Sequence, residues 1–210
     1  AVLPLLALYQ QKGQELIRQP SLVNLLARNT GQQKIVYNQK MVQLGQPGMG
    51  ITLDGIAKGY IVDQGVATLK QLGFNQVLVE AGGDLLVSGC KPQEVPWRIG
   101  IKKPRPDMPG QFITVQAEDM AVATSGDYQQ SFSADLRHHH IINPHTGFSP
   151  PELASCTITA PNAALADALA TACMVLGKQN SMDLLAGMPD CEGMFIDKEL
   201  GITSTQGFTG

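Results

Sequence analysis

The sequence is poor in charged residues, which make up only 16% of its 210 positions, against about a quarter in ordinary soluble domains. It also lacks an excess of positive charge, because 15 Lys and Arg stand against 18 Asp and Glu and give a formal net charge of -3. Without a basic surface to attract a phosphate backbone, nucleic acid is not an expected partner. Hydrophobic residues make up 43% of the chain, which excludes an intrinsically disordered protein.

Long apolar runs are also missing. No stretch approaches the roughly 20 consecutive apolar residues that a membrane-spanning helix needs. Residues 1–8 are apolar, but they have no basic segment before them and they contain Pro4. They therefore predict neither a signal peptide nor a spanning helix, and we expect them to be the start of a processed or trimmed chain.

Cysteine is scarce, and its spacing does not predict a structural zinc site, because there is no C-x-x-C pair and no His at zinc-finger spacing. Cys173 lies in the apolar run 168–176, where a small buried hydrophobic residue is expected. An even number of cysteines permits two disulfides, and the sequence leaves their pairing open. The four are Cys90, Cys156, Cys173 and Cys191.

The order of predicted elements indicates an α+β fold with a mixed or antiparallel sheet and flanking helices, in a single domain over residues 1–210. Apolar residues at helical spacing predict helices at 55–72, 163–176 and 181–185, after a helical lead-in and a strand pair near 34–44. Asn162 is the expected N-cap of the second of these, and Gly177 follows its end. Short runs between turn residues predict strands at 76–79, 85–87, 97–101, 112–115, 120–123, 139–142, 155–159 and 194–196.

Four glycine-containing clusters stand at predicted strand ends or helix starts, where backbone N–H groups are free to bind anions. Taken singly, each cluster fits a turn that needs glycine better than a ligand site, as at Gly82, Gly83 and Gly126. None matches the G-x-G-x-x-G or Walker patterns, so a Rossmann or P-loop nucleotide site is not expected. The clusters occupy residues 53–64, 80–85, 123–128 and 140–147.

Asp167 and Thr171 lie four residues apart on the predicted helix 163–176, so their oxygens project from one face about one turn apart. A carboxylate and a hydroxyl, completed by carbonyl and phosphate oxygens, are the ligands that Mg²⁺ prefers. The alternative is structural: Asp167 stabilises the helix N-terminus and Thr171 bonds back to a carbonyl. Spacing alone leaves both interpretations open.

Two further groups could take part in chemistry. His138, His139 and His140 fall on a predicted strand, which would place the first and third on one face and His139 on the other. Any of the three could accept a hydroxyl proton near neutral pH, or could be a polar strand residue. Lys58, in the first turn of the helix 55–72, could hold a phosphate or lie exposed to solvent.

Read together and in this order, the segments DGIAKGYIVD, AGGDL, TSGDY, HIINPHTG and ADALAT resemble the FAD:protein FMN transferase family, also known as the ApbE or thiamine-biosynthesis lipoprotein family. The resemblance has its core in residues 50–176 and implies that the family's N-terminal portion is missing before Ala1. It implies an enzyme that uses Mg²⁺ to move the FMN part of FAD onto a Ser or Thr hydroxyl of a partner protein, with release of AMP.

The resemblance also implies roles for individual residues. His140 would be the catalytic base. Asp167 and Thr171 would bind the metal through their side chains, and Gly55 and Ala170 would add carbonyl oxygens. The residues expected to contact the flavin nucleotide are Lys58, Gly82, Gly83, Thr124, Ser125, Gly126 and Ile141.

In that family the acceptor is a subunit of a membrane electron-transport complex, and the enzyme is commonly an exported, periplasmic lipoprotein anchored to the membrane. The resemblance therefore implies the same partner and location here. Two other functions are kept as alternatives. One is hydrolysis of FAD to FMN and AMP, and the other is flavin binding or assembly without catalysis.

Overall fold

The computed structural model describes residues 2–108 and 113–208, which fall into two compact units. We call Ala1–Leu53 with Asp127–Pro151 the helical unit, and Asp54–Gly126 with Glu152–Gly210 the sheet unit. Helices and antiparallel sheets both occur, so the predicted α+β class is confirmed.

The helical unit begins with three short helices, α1 (Leu3–Lys12), α2 (Gln14–Ile17) and α3 (Pro20–Ala27). Pro4 and Pro20 stand in the first turns of α1 and α3, where a missing N–H breaks no intrahelical hydrogen bond. The predicted strand pair follows as an antiparallel hairpin of β1 (Ile35–Asn38) and β2 (Met41–Leu44).

Tyr9 is central to the core of the helical unit and is only 1% exposed. Its ring stacks on Phe132 at a centroid distance of 5.5 Å, and its hydroxyl donates to the carbonyl of Gly147 at 3.1 Å. These contacts hold residues 127–151 against α1. The other buried members of this core are Leu5, Leu6, Leu16, Val23 and Ile142.

The predicted strand at 139–142 is wrong. All residues of 127–151 are described, and they form no helix or strand beyond a single bridge between Ser131 and His139. The hydroxyl of Ser149 replaces a partner strand, because it accepts the His139 N–H at 2.8 Å and donates to the His139 carbonyl at 2.7 Å. Burial still alternates, with His139 fully buried between half-buried His138 and His140.

The sheet unit contains three helices and eight strands within its described residues. In chain order these are α4 (Ala57–Gln71), β3 (Val77–Ala81), β4 (Asp84–Ser88), β5 (Trp97–Ile101), β6 (Ile113–Ala117), β7 (Ala121–Gly126), β8 (Leu153–Ala160), α5 (Ala163–Leu176), α6 (Lys178–Ala186), β9 (Glu192–Asp197) and β10 (Ile202–Ser204). Six of the strands form one antiparallel sheet in the order β10-β9-β8-β7-β4-β3.

The six-stranded sheet is covered on both faces. Helices α4 and α5 pack on one face, and the β5–β6 hairpin packs on the other through an apolar cluster that includes Val87, Val115 and Ile196. Coverage on both faces explains why every residue of β8 is buried. It also means that alternate residues of β4 and β7 face different layers.

Most predicted elements of the sheet unit are present. The helix predicted at 163–176 is confirmed, with the Leu165 N–H donating to the side chain of its N-cap Asn162 and Gly177 after its end. The predicted helices 55–72 and 181–185 span 57–71 and 178–186. The predicted strands also occur, with ends shifted by a few residues. Part of the prediction at 112–115 lies outside the described residues, and β10 was not predicted.

The four cysteines all lie in the described parts of the chain and are free thiols. Cys173 is fully buried, as expected from its apolar surroundings. Every helix within residues 2–108 and 113–208 is too short or too polar to cross a bilayer.

Helix α4 approaches the start of α5 closely at Gly59. A Cβ atom added there would overlap the carbonyl oxygen of Ala163 and would lie 2.7 Å from the Cα atom of Ala164. Both neighbours are backbone atoms, which cannot move aside without moving the helix. The glycine is therefore required by the spacing of the two helices.

We expect Gly59→Ala to lower the free energy of unfolding by about 1–3 kcal/mol or more, the usual cost of overpacking. This loss outweighs the gain expected from the higher helix propensity of alanine. Gly65→Ala in the same helix is the control, because its Cβ would meet only the side chain of Val79, at 3.2 Å. Urea unfolding of both variants tests this. Equal stability of the two variants would contradict the close approach.

Candidate functional site

Three elements of the sheet unit, β4, α4 and α5, bring polar side chains together. Asp84 stands at the start of β4, Lys58 lies in the first turn of α4, and Asp167 lies in the second turn of α5. In β4, Leu85 and Val87 belong to the apolar cluster beneath the β5–β6 hairpin. Asp84 therefore faces the helices, as alternation along a strand requires.

Asp167 is a buried carboxylate, only 3% exposed. The backbone N–H of Gly59 donates to its Oδ2 atom at 3.1 Å. One turn further along α5, the Oγ1 atom of Thr171 lies 3.2 Å from the Oγ atom of Ser125 on β7. The structure therefore places Asp167 and Thr171 on the same face of α5, toward α4 and β7, as the sequence predicts.

Asp84 is a second buried carboxylate beside the first, and it is 1% exposed. Its Oδ2 atom forms an ion pair with the Nζ atom of Lys58 at 2.6 Å. Burial raises the pKa of Asp84 to about 6; the ion pair with Lys58 opposes this rise, and the charge of Asp167 adds to it. Two adjacent buried carboxylates are costly unless a proton or a cation balances their charge.

The atoms at this place that could bind a metal ion are all oxygens. Among the described residues, no group of three or more His, Cys, Asp or Glu side chains is arranged to hold a metal ion. A metal at Asp167 would therefore need hydroxyl and carbonyl oxygens in addition to carboxylate. Magnesium accepts such a set and the softer transition metals favour others, so the donors fit the predicted Mg²⁺.

The backbone of the two residues predicted to supply carbonyl ligands lies next to Thr171. A methyl group added at Gly55 would lie 3.2 Å from Thr171 Oγ1, so the backbone just before α4 is close to that hydroxyl. Ala170 is fully buried and precedes Thr171 in α5. Their role as ligands stays a prediction.

Gly82 and Gly83 form the two-residue turn between β3 and β4. Their φ angles are 60° and 98°, in the left-handed region that such a hairpin turn requires. The Cδ atom of Lys58 would lie 3.7 Å from a Cβ added at Gly82, so the turn packs beside the stem of this lysine. The turn alone accounts for the two glycines, and their contact with a nucleotide stays a prediction.

Thr124 and Ser125 point to opposite faces of β7. Ser125 reaches Thr171 on the helix side, whereas Thr124 Oγ1 lies 2.9 Å from Thr157 Oγ1, on the face toward the β5–β6 hairpin. Of these two predicted nucleotide contacts, only Ser125 therefore joins the group around Asp167. Gly126, the last residue of β7, is buried.

His140 and Ile141 belong to the helical unit. Ile141 is buried, and His140 is half-buried with its Nδ1 atom 3.3 Å from the carbonyl oxygen of Gln130. Because a carbonyl only accepts, Nδ1 carries the proton in this contact and Nε2 is the basic nitrogen of the neutral ring. That tautomer is compatible with the predicted role of His140 as a base.

Sequence reasoning missed Asp84 and the Gly59 N–H. Asp84 follows the two glycines of the AGGDL segment, and a carboxylate directly after a two-glycine turn was the available signal for it. The N–H of Gly59 leaves no trace in composition or periodicity. It becomes a donor to Asp167 only because α4 and α5 pack closely.

The sequence profile of the ApbE family matches residues 1–195, so the chain belongs to the ApbE family. A FAD:protein FMN transferase of Treponema pallidum is 37% identical over 176 residues, which are 79% of this chain and 49% of that protein. One of Vibrio cholerae is 35% identical over 155 residues, 73% of this chain and 46% of that protein. The chain spans about half the length of these curated relatives. The resemblance based on the five segments is confirmed.

Solved structures agree with this assignment. The ApbE protein of Thermotoga maritima has a TM-score of 0.78 at 33% identity, over 89% of this chain and 62% of that chain. The apo form of the Pseudomonas stutzeri flavinyl transferase ApbE has a TM-score of 0.78 at 32% identity, over 97% of this chain and 63% of that chain. The fold is thus shared with flavin transferases.

The raised pKa of Asp84 predicts a pH dependence of stability without divalent cations. The folded state binds this proton more tightly than the unfolded state, so the stability contribution is complete below about pH 4 and falls as the pH rises to about 6. A rise from 3.8 to about 6 corresponds to a loss on the order of 3 kcal/mol. Asp84→Asn should remove this loss in urea unfolding between pH 4 and 8.

The exposed Asp183→Asn on α6 is the matched control and should keep the pH dependence of the unchanged protein. The same fall in stability in the Asp84→Asn variant would show that Asp84 does not cause it.

Proposed function

We propose that this protein transfers the FMN part of FAD to a Ser or Thr hydroxyl of a partner protein and releases AMP. The observation that carries the proposal is the buried Asp167 with Thr171 one turn further along α5, in a chain of the ApbE family. The curated relatives of Treponema pallidum and Vibrio cholerae support it by their names, FAD:protein FMN transferase.

In this proposal Asp167 and Thr171 hold Mg²⁺ through their side chains, and Gly55 and Ala170 contribute carbonyl oxygens. The oxygen ligands, and the charge of two adjacent buried carboxylates that Lys58 balances only in part, support a cation at this place. When bound, the cation neutralises charge on the phosphate oxygens of FAD. The N–H of Gly59 fixes the carboxylate of Asp167 before any ligand arrives.

In the reaction the protein binds FAD, orients the acceptor hydroxyl and removes the proton of that hydroxyl. The acceptor hydroxyl oxygen forms a bond to the FMN phosphorus, the bond from that phosphorus to the bridging oxygen breaks, and AMP leaves with that oxygen. His140 takes the hydroxyl proton on Nε2. The proposed nucleotide contacts are Gly82, Gly83, Ser125, Gly126 and Ile141. Thr124 is no longer proposed, because it lies on the face of β7 toward the β5–β6 hairpin.

We also propose that the acceptor is a subunit of a membrane electron-transport complex and that the protein acts outside the cytoplasmic membrane as an anchored lipoprotein. Both proposals rest on the family alone. Localisation of the tagged protein and mass spectrometry of its flavinylated targets would test them.

The reaction itself is tested by incubating the protein with FAD, Mg²⁺ and a Thr-containing acceptor peptide, with an EDTA control. We expect AMP and a peptide heavier by FMN, both lost with EDTA. Free FMN with AMP would instead indicate hydrolysis of FAD. FAD left intact over hours would indicate a binding or assembly protein.

Asp167→Asn should reduce Mg²⁺-dependent AMP release by at least about 100-fold, because the amide removes the ligand charge from the metal site while keeping its size. The fold should persist, since an amide oxygen can still accept the Gly59 N–H. Asp183→Asn is the control and should release AMP normally. Undiminished turnover in Asp167→Asn would exclude this carboxylate as a metal ligand.

His140→Gln should slow transfer to the acceptor by about 10² to 10⁴, the usual contribution of a general base. His145→Gln, a nearby exposed histidine, should transfer FMN at the normal rate. Transfer rates on the acceptor peptide at saturating FAD and Mg²⁺ measure both. Equal rates for the two variants would remove His140 from the mechanism.

A further inference from the structure

Asp63 of α4 joins this helix to the first turn of α5. Its Oδ1 atom accepts the N–H of Ala163 at 2.7 Å, and its Oδ2 atom accepts the N–H of Ala164 at 3.0 Å. These are the first two residues of α5, whose N–H groups have no partner inside the helix. One carboxylate from a neighbouring helix therefore satisfies two of them.

The attachment lies close to the metal-binding face of α5. Asp63 follows Gly59 by four residues, one turn of α4, and the Gly59 N–H donates to Asp167. Helix α4 thus contacts α5 through Asp63 at the first two residues of α5 and through Gly59 at its fifth. Two attachments one turn apart fix the position of α5 along its own axis and its rotation about that axis, both relative to α4.

We infer that Asp63 is a positioning residue of the cation site, which acts through α5 to set where Asp167 and Thr171 stand relative to Gly55 and Gly59. The inference rests on the proposed function, because it takes the cation site from there. In this inference Asp63 contacts the backbone of α5 and touches neither substrate nor metal.

A simple helix cap is the competing explanation, and the chain provides a direct comparison. Asn162 caps the same helix end, since its Oδ1 atom accepts the N–H of Leu165 at 2.9 Å. This cap comes from the residue next to α5 and makes no link to α4. Removing it costs a capping hydrogen bond but leaves the register of the two helices in place.

The experiment compares Asp63→Ala with Asn162→Ala in the full protein. Binding of Mn²⁺ alone, without FAD, is titrated by electron paramagnetic resonance at a temperature where both variants are folded. Thermal unfolding of each is measured in parallel. The Mg²⁺ concentration that gives half-maximal AMP release is then determined separately from the maximal rate.

We expect both variants to unfold at a lower temperature. Only Asp63→Ala should bind Mn²⁺ more weakly, by about 10-fold to 100-fold, as is usual when a group that orients a metal ligand is removed. It should also need correspondingly more Mg²⁺ for half-maximal AMP release. Asp63→Asn, which keeps one acceptor oxygen, should fall between, and it replaces Asp63→Ala if that variant does not fold.

Unchanged Mn²⁺ affinity in the Asp63 variants, or an equal loss in Asn162→Ala, would overturn the inference and leave Asp63 as a cap. If the unchanged protein itself binds no Mn²⁺, the proposed cation site fails and the inference fails with it. The two failures are distinguishable because the second appears before any substitution is made.

Discussion

The candidate site depends on the close approach of α4 to the N-terminal turn of α5. Gly59 permits that approach because any side chain there would overlap the backbone of Ala163. The same residue then supplies the N–H that holds Asp167. The first turn of α4, which carries Lys58 and Gly59, therefore packs against α5 and orients Asp167. Gly59 contributes to the site through its backbone, by its lack of a side chain and by its N–H.

Charge balance is the second constraint. Asp84 and Asp167 are adjacent carboxylates, each almost fully buried, and Lys58 supplies one compensating positive charge. One lysine cannot neutralise two carboxylates, so the arrangement retains an attraction for a proton or a cation. A lysine paired in this way is tied to Asp84, and any contact with a phosphate would compete with that ion pair. This residual negative charge supports the proposed Mg²⁺ site.

The parts of the site that follow a regular period could be predicted from the sequence. Asp167 and Thr171 share a helix face, and the Asn162 cap marks where that helix starts. Asp84 could not be placed, because its partners Lys58 and Asp167 are distant in sequence and meet only through tertiary packing. The strand predicted at 139–142 does not form, because the Ser149 hydroxyl makes the hydrogen bonds to the His139 backbone that a partner strand would make. A bond of this kind leaves no periodic pattern in the sequence.

The proposed function requires a divalent cation bound at Asp167 and Thr171. Anomalous diffraction from crystals of the protein soaked in Mn²⁺ tests it most directly. We expect a peak within coordination distance of the Asp167 carboxylate and the Thr171 hydroxyl, and no peak there in crystals of Asp167→Asn. No peak at these residues, under conditions where FAD cleavage still requires the metal, would contradict it.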